Sequence, residues 1–306
     1  MCRANTQRTT SRRSPEISDG LIIKAVSGVY TVRTQEGDIA CHARGVFRHR
    51  DIVPLVGDIA EVEISQGTGY ITAVRERRNE LVRPPVANVD RMCLVLSVCY
   101  PAPNYLVADT IIALAEHNGI EPFIVVTKTD IADGREVADI YRRAGFTVCE
   151  VAGEKGADEV CAQLEGRITV LAGNSGAGKS TLLNHIDPEL ALAVGETSKK
   201  LGRGRHTTRH TELYPLKNGG YVADTPGFSS IEMERAGVIF KDELQYCFRE
   251  FADYVGQCRF TGCSHRTEKG CAVLEAVRRG EIPEQRHRSY TALYNEALEI
   301  KEWQYK

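Results

Sequence analysis

The chain lacks any run of the ~18 consecutive apolar residues that a bilayer-spanning helix requires, so no membrane association is expected. Nor does an apolar stretch follow the arginines of Met1 to Ser14, which argues against reading that segment as a secretory signal. Charge of one sign is not in excess. The formal net charge of −2 gives no global attraction to nucleic acid, so any RNA contact must come from local patches. No internal repeat or low-complexity tract interrupts the sequence. What remains is ordinary globular material, 42% apolar and 26% charged over 306 residues, enough for a sizeable core and two or three domains. Ten cysteines are dilute in a chain of this length and fit a reducing cytosol better than a disulfide framework. Cys93 and Cys99 flank an apolar, strand-like run, where a free thiol acts as a small buried hydrophobe. A cytoplasmic location is expected.

Two basic patches stand out. Arg3, Arg8, Arg12 and Arg13 lie in residues 1–18, read as a disordered basic arm because charge runs are usually solvated. Lys199, Lys200, Arg203, Arg205 and Arg209 cluster in a second segment, the better candidate for contact with RNA or phosphate.

Hydrophobic periodicity divides the rest into three. Over residues 19–82 Ala60, Val62 and Ile64 alternate with Glu61 and Glu63, and Gly28, Gly37, Gly45, Gly57, Gly67 and Gly69 fall at hairpin spacing. About five strands in so short a segment suit a small barrel of OB or SH3-like type; the OB-fold is the commoner solution that binds nucleic acid. Arg83-Pro84-Pro85 resists both helix and central strand and ends this segment. Residues 83–230 alternate short apolar runs (Met92–Val98, Phe123–Val126, Thr147–Val151, Ile168–Ala172, Tyr221–Ala223) with helical stretches such as Leu106–His117 and Arg135–Ala144. That is the signature of a doubly wound α/β domain with a parallel sheet. Residues 231–306 read as helical over Lys241–Phe251, Ala272–Arg279 and Pro283–Trp303, with Pro283 placed in the first turn of the last helix.

The chemistry concentrates in the α/β segment. Gly173, Asn174, Ser175, Gly176, Ala177, Gly178, Lys179 and Ser180 fit G-x-x-x-x-G-K-[ST] after a predicted strand, and Thr181 opens a predicted helix. The glycines let backbone N–H groups turn toward phosphates, Lys179 reaches the β and γ oxygens, and the Ser180 hydroxyl is a Mg²⁺ ligand, all at a helix N-terminus that favours anions. Asp224-Thr225-Pro226-Gly227 follows the strand at Tyr221–Ala223. There Asp224 is placed to bind Mg²⁺ through water and the Gly227 N–H to sense a γ-phosphate.

Thr127, Lys128, Thr129 and Asp130 follow another apolar strand and resemble the N-K-x-D element of GTPases. In that element the Asp carboxylate accepts hydrogen bonds from guanine N1–H and the 2-amino group. Adenine offers no such donor pair and would leave the carboxylate unpaired. Two features depart from the common pattern. Thr127 stands where Asn is usual, altering the bridge to the phosphate loop. The element also precedes the phosphate loop, so the domain is expected to be circularly permuted.

Between these motifs, Gly202-Arg203-Gly204-Arg205-His206-Thr207-Thr208-Arg209-His210 supplies a loop threonine able to close onto Mg²⁺, Thr208 first and Thr207 second. Phe228 occupies the position after D-x-x-G where many GTPases have a water-orienting Gln. His206 is the nearest group able to hydrogen-bond an attacking water; the alternative is an exposed loop His contacting phosphate or RNA. Finally, Cys258, Cys263, His265 and Cys271 form C-x4-C-x-H-x5-C, a closed tetrahedral donor set for one structural Zn²⁺. The nearby Arg259, Arg266, Lys269, Arg278 and Arg279 could also make this module a nucleic-acid surface.

With these motifs in view, the chain resembles the bacterial circularly permuted GTPases known as ribosome small-subunit-dependent GTPase A. The likeness spans barrel, permuted motifs, Gly-Arg-His-Thr-Thr loop and zinc cluster. It implies GTP hydrolysis to GDP and phosphate stimulated by the small ribosomal subunit, a late role in subunit maturation, and contact with ribosomal RNA through barrel and zinc module. A monomer is expected. That family carries a hydrophobic residue in the Gln position and a loop His proposed as catalytic, which Phe228 and His206 match. Two other readings compete: a P-loop ATPase or nucleotide kinase, which would not need Thr127–Asp130, and a non-enzymatic RNA-binding module with a vestigial nucleotide site.

Overall fold

The computed structural model describes residues 16–45, 47, 52–65, 68–189, 211–223 and 237–301. Arg3, Arg8, Arg12, Arg13, the basic loop 199–209 with His206, Thr207 and Thr208, and Asp224, Gly227 and Phe228 all lie outside them.

β1 (Glu16–Val26), β2 (Val29–Thr34), β3 (Gly37–Ala43), β4 (Ile59–Ser65) and β5 (Thr68–Val74) close into a barrel in the order β1-β2-β3-β5-β4-β1, with β3 and β5 parallel. This is the OB arrangement. β1 serves both neighbours by length: residues 16–21 pair with β4, and residues from 21 onward pair with β2 across a bulge between Ile22 and Lys24. The alternation in β4 works as the sequence suggests, with Ala60 and Val62 fully buried. One expectation needs correcting. Residues 16–18 belong to β1, paired with Val62–Ile64, and not to a disordered arm, because β4 offers them a complete backbone ladder.

β6 (Glu80–Leu81) and β7 (Val86–Ala87), strands of two residues each, pair as a hairpin around Pro84-Pro85, so the segment expected to separate two units is itself packed. Val86 bridges to Val56, and Gly57 (φ +92) presses on β7, where an added Cβ would lie 2.0 Å from Ala87 O.

The α/β layer follows as β8 (Arg91–Ser97), α1 (Tyr105–His117), β9 (Glu121–Thr127), α2 (Arg135–Arg143), β10 (Thr147–Val151), α3 (Ala157–Leu164), β11 (Ile168–Ala172), α4 (Lys179–Ile186), β12 (Thr211–Pro215) and β13 (Tyr221–Ala223). Strands run β10-β9-β8-β11-β13 in parallel, with β12 antiparallel beside β13. Helices cover both faces, which is why β8, β9 and β11 are apolar almost throughout. β12 escaped the sequence reading, and it carries an unexpected join: Lys24 and Ala25 of β1 pair with Glu212 and Thr211, so barrel and α/β sheet form one eleven-stranded sheet. Lys24 Nζ also bonds Glu212, at 2.8 Å.

The C-terminal part holds α5 (Lys241–Leu244), two 3₁₀ turns at Gln245–Cys247 and Arg249–Phe251, α6 (Ala272–Arg278) and α7 (Glu284–Leu298). The single helix expected over Lys241–Phe251 is therefore broken. Phe248 takes an extended conformation there (φ −117, ψ 89) and packs on Tyr290 and Phe251. Pro283 stands just before α7, not in its first turn, and makes no side-chain capping bond; the helix stops at Leu298, short of Trp303.

Arg286 of α7 ties this part to α1. It is fully buried, bonds Asp109 Oδ1 at 2.6 Å and Glu250 Oε1 at 2.7 Å, and lies over the Phe248 ring at 4.5 Å.

Candidate functional site

A parallel sheet turns chain order into lateral order. The loops after β8, β9, β10 and β11 all leave the same edge of the sheet, where ligands of open α/β folds sit. The base motif follows β9 and the phosphate loop follows β11, with β8 between them, so they meet although the first precedes the second in sequence.

The phosphate loop turns through Gly173 (φ +133), Gly176 (φ +79) and Gly178 (φ +99), backbone states that side chains oppose. Gly173 also presses on β8, where a Cβ would come within 2.3 Å of Val95 O. Ala177 is buried while Ser175, Gly176 and Ser180 are exposed. Lys179 Nζ donates to Gly173 O and, at 2.9 Å, to Asn174 O; burial lowers its pKa. An ammonium held close over its own loop needs only a rotamer change to transfer those N–H bonds to phosphate oxygens.

Two side chains fasten the base motif to that loop. Thr127 Oγ1 donates to Ala177 O at 2.6 Å, with Leu96 O more distant at 3.3 Å. A hydroxyl thus makes the phosphate-loop bridge expected to be altered by the loss of Asn. Lys128 (φ +62) sends Nζ to Gly176 O at 2.9 Å, Cys99 O at 3.2 Å and Tyr100 O. Its ammonium is thereby anchored between the loop after β8 and the phosphate loop.

A cavity of about 220 Å³ opens at this junction, lined by Thr127, Lys128, Asp130, Gly178 and Thr181. Asp130, at its edge, is exposed, its carboxylate open to a ligand. Thr129 lies beneath Gly134, whose added Cβ would meet its methyl at 2.8 Å, and does not line the cavity. The sequence reading missed Ile131, Val151, Gly153, Leu182 and His185, which complete the wall. The helical spacing from Thr181 to His185 signals a shared face of α4; nothing local marks the loop after β10.

Cys258, Cys263, His265 and Cys271 converge as expected, their ligand atoms all within 4.8 Å of one another. The shape is informative. Sulfurs 2.3 Å from a tetrahedral metal stand about 3.8 Å apart, and Cys258 Sγ and Cys271 Sγ are separated by 3.8 Å. His265 Nδ1 lies 3.5 Å and 3.4 Å from the same two sulfurs. Nε2 of that ring meets Gln245 Oε1 at 3.0 Å, a contact that leaves Nδ1 free as the ligand. Burial pushes the Cys263 thiol up to about 12. The donor set therefore fits a metal ion. α7 holds the loop from behind, through His287 Nε2 to His265 O at 2.7 Å and Tyr290 OH to Ser264 O at 3.1 Å.

A motif resembling N-K-x-D, stapled to a P-loop motif in permuted order beside an OB barrel, has the arrangement of a circularly permuted GTPase. Comparisons with known proteins agree. The profile described as RsgA GTPase matches residues 74–234, and that of the RsgA N-terminal domain matches residues 19–71. The chain is 45% identical to the small ribosomal subunit biogenesis GTPase RsgA of Caldanaerobacter subterraneus subsp. tengcongensis over 294 residues, covering 94% of this chain and 98% of that one. Against the protein of the same name from Geobacillus kaustophilus it is also 45% identical, covering 93% and 99%. Among solved structures it resembles YjeQ from Thermotoga maritima (TM-score 0.81, 35% identity, 94% and 100% covered). It also resembles YloQ, described as a circularly permuted GTPase (TM-score 0.77, 34% identity, 97% and 99% covered). The chain belongs to the RsgA GTPase family, and it is a GTP-hydrolysing enzyme.

Proposed function

We propose that the chain hydrolyses GTP to GDP and phosphate on the small ribosomal subunit, late in that subunit's maturation, and is stimulated by it. The observation that carries the nucleotide half is the bridge from Thr127 and Lys128 to Ala177 and Gly176, which holds a guanine reader and a phosphate cradle at one fixed spacing. Asp130 accepts from guanine N1–H and the 2-amino group. The N–H groups of 173–181 and Lys179 hold the phosphates. Ser180, with Thr208 and Asp224, would hold Mg²⁺, which neutralises charge on the β and γ oxygens. Gly227 senses the γ-phosphate, and His206 orients the attacking water.

The ribosomal half is supported by the names of the relatives and by the OB barrel, a fold that binds oligonucleotides. Ribosomal RNA contacts are assigned to the barrel and to the metal module, whose ion is Zn²⁺. The protein works as a cytoplasmic monomer.

Turnover titrated with purified small subunits tests this reading. Subunits should raise the rate, a doubling of salt should weaken that effect sharply as for phosphate-dominated binding, and Lys179→Ala should abolish stimulated turnover. A rate indifferent to subunits would sink the ribosomal assignment. Metal analysis tests the module: the purified protein should carry one zinc per chain, and stripping it with a chelator should unfold residues near 258–271 while leaving GDP binding intact. Retention of a protease-resistant C-terminal part without metal would contradict a structural ion.

A further inference from the structure

β12 is held by different partners along its length. Leu213, Tyr214 and Pro215 pair with β13 of the α/β layer, whereas Thr211 and Glu212 pair with Ala25 and Lys24 of the barrel. Among the described residues, the barrel alone supplies a strand partner for the first two positions of β12. Lys24 Nζ adds a side-chain bond at the same place, 2.8 Å from Glu212 Oε2, and Thr211 is buried. The end of β12 held in this way is the one nearest in sequence to the proposed catalytic groups. Thr211 stands three positions after Thr208 and five after His206.

On the barrel side the same pairing lies next to an exposed turn. Val26 follows Ala25, and Ser27 (φ +50) and Gly28 (φ +81) then reverse the chain into β2. Ser27, Gly28 and Val29 are all exposed, so a partner of the barrel can reach the turn directly. Behind it β1 is stiff, because β2 and β4 both pair with it. Ile22, Val32 and Ala60 of the barrel also share one continuous core with Leu213 and Ala223 of the α/β layer. Close-packed interiors have low compressibility and transmit strain. A restraint placed on the β1–β2 hairpin is therefore felt at Thr211.

We propose that Lys24 is a positioning residue for GTP hydrolysis, acting through Glu212. Contact of the small ribosomal subunit with the barrel fixes β1, the β1–β12 pairing fixes Thr211 and Glu212, and these fix one end of the segment that carries His206 and Thr208. What the subunit adds to the rate passes through this join. Turnover without the subunit does not draw on it. This deepens the subunit-stimulated reading and rests on it.

GTPase assays of the full chain titrated with purified small subunits test this, since they separate the plateau rate from the subunit concentration that gives half of it. The parent is compared with Lys24→Glu, Glu212→Lys, the double exchange of both, and Lys24→Arg. Each single reversal sets like charges opposite each other and should lower the stimulated plateau about three- to tenfold. Unstimulated turnover and GDP affinity should stay within about twofold of the parent, since the pair touches neither nucleotide nor phosphate loop. The double exchange and Lys24→Arg each restore an opposite-charge pair and should bring the plateau back to within about twofold. A plateau unmoved by either reversal overturns the proposal. An equal fall in stimulated and unstimulated rates also overturns it, because the pair is then merely structural. So does a Lys24→Glu defect confined to the half-stimulating concentration and left unrepaired by the double exchange, which marks Lys24 as a direct RNA contact. Should the parent itself ignore small subunits, the stimulated reading beneath the proposal fails instead.

Discussion

Asp130→Asn should weaken GDP binding about a hundredfold or more and make xanthosine diphosphate the preferred ligand. In the proposed site the carboxylate presents two acceptors to two guanine donors. A carboxamide in the same place keeps one acceptor and turns an N–H₂ toward the purine 2-amino group, donor against donor. Sites built on such pairing reject a mismatched partner by several orders of magnitude. The lower figure is chosen because Asp130 is exposed at the cavity edge, where solvent softens the mismatch. Xanthine carries an oxygen at position 2 and restores the match. Because Thr127 and Lys128 do not depend on Asp130 for their bonds to the phosphate loop, the variant should fold normally. Titration calorimetry with the two diphosphates reads the outcome; an unaltered preference for GDP would remove Asp130 from the base site.

The second large effect lies far from the nucleotide. Arg286→Met should destabilise the protein by about 3–5 kcal/mol, the usual cost of taking one partner from a buried ion pair. Arg286 and Asp109 are wholly buried and Glu250 nearly so, and the guanidinium bonds both carboxylates. Removing it leaves two carboxylates on the contact between α1 and α7 with no cation. Burial already pushes the Asp109 carboxyl up against the pull of Arg286, and without Arg286 it rises further. A carboxyl whose folded-state pKa is raised takes up a proton on folding, so stability falls as pH rises. The deficit relative to the parent should accordingly be larger at neutral pH than in mild acid. Adding Asp109→Leu and Glu250→Gln should recover most of the loss, since an apolar replacement of a buried ionic group is often neutral. Urea unfolding followed by circular dichroism at two pH values checks all three statements. A parent-like midpoint for the single variant would show the network to be energetically idle.

Much of the fold was legible before any coordinate. Thr147–Val151, Ile168–Ala172 and Tyr221–Ala223 are strands with the expected bounds; Ile168–Ala172, buried at every position, shows how a strand covered on both faces announces itself as an apolar run. β12 was not legible. Thr211–Pro215 mixes Thr, Glu and Tyr with Leu, and it is a strand because β13 and β1 flank it. The helix expected over Lys241–Phe251 failed for a related reason: Phe248 gains more from packing on Phe251 and Tyr290 than from continuing a helix. In the site, Lys128 and Asp130 were visible as a motif. His185 was not, because one histidine on an amphipathic helix has no sequence mark that separates a cavity wall from a core.

The sequence by itself determined what depends on near neighbours: the glycine-shaped loop at 173–180, the tetrapeptide proposed to read the base, and the three thiols and imidazole of the cluster that could hold a metal ion. Each is a short segment whose chemistry is written in its own residues. Tertiary structure decided which distant groups meet: the hydroxyl of Thr127 on Ala177, the β1–β12 join, Arg286 between Asp109 and Glu250, and His185 on the wall of the cavity that Asp130 also lines. Those pairings span tens to nearly two hundred positions, and sequence order carries no distance across such gaps. Only the packing of the sheet and its covering helices brings them within reach.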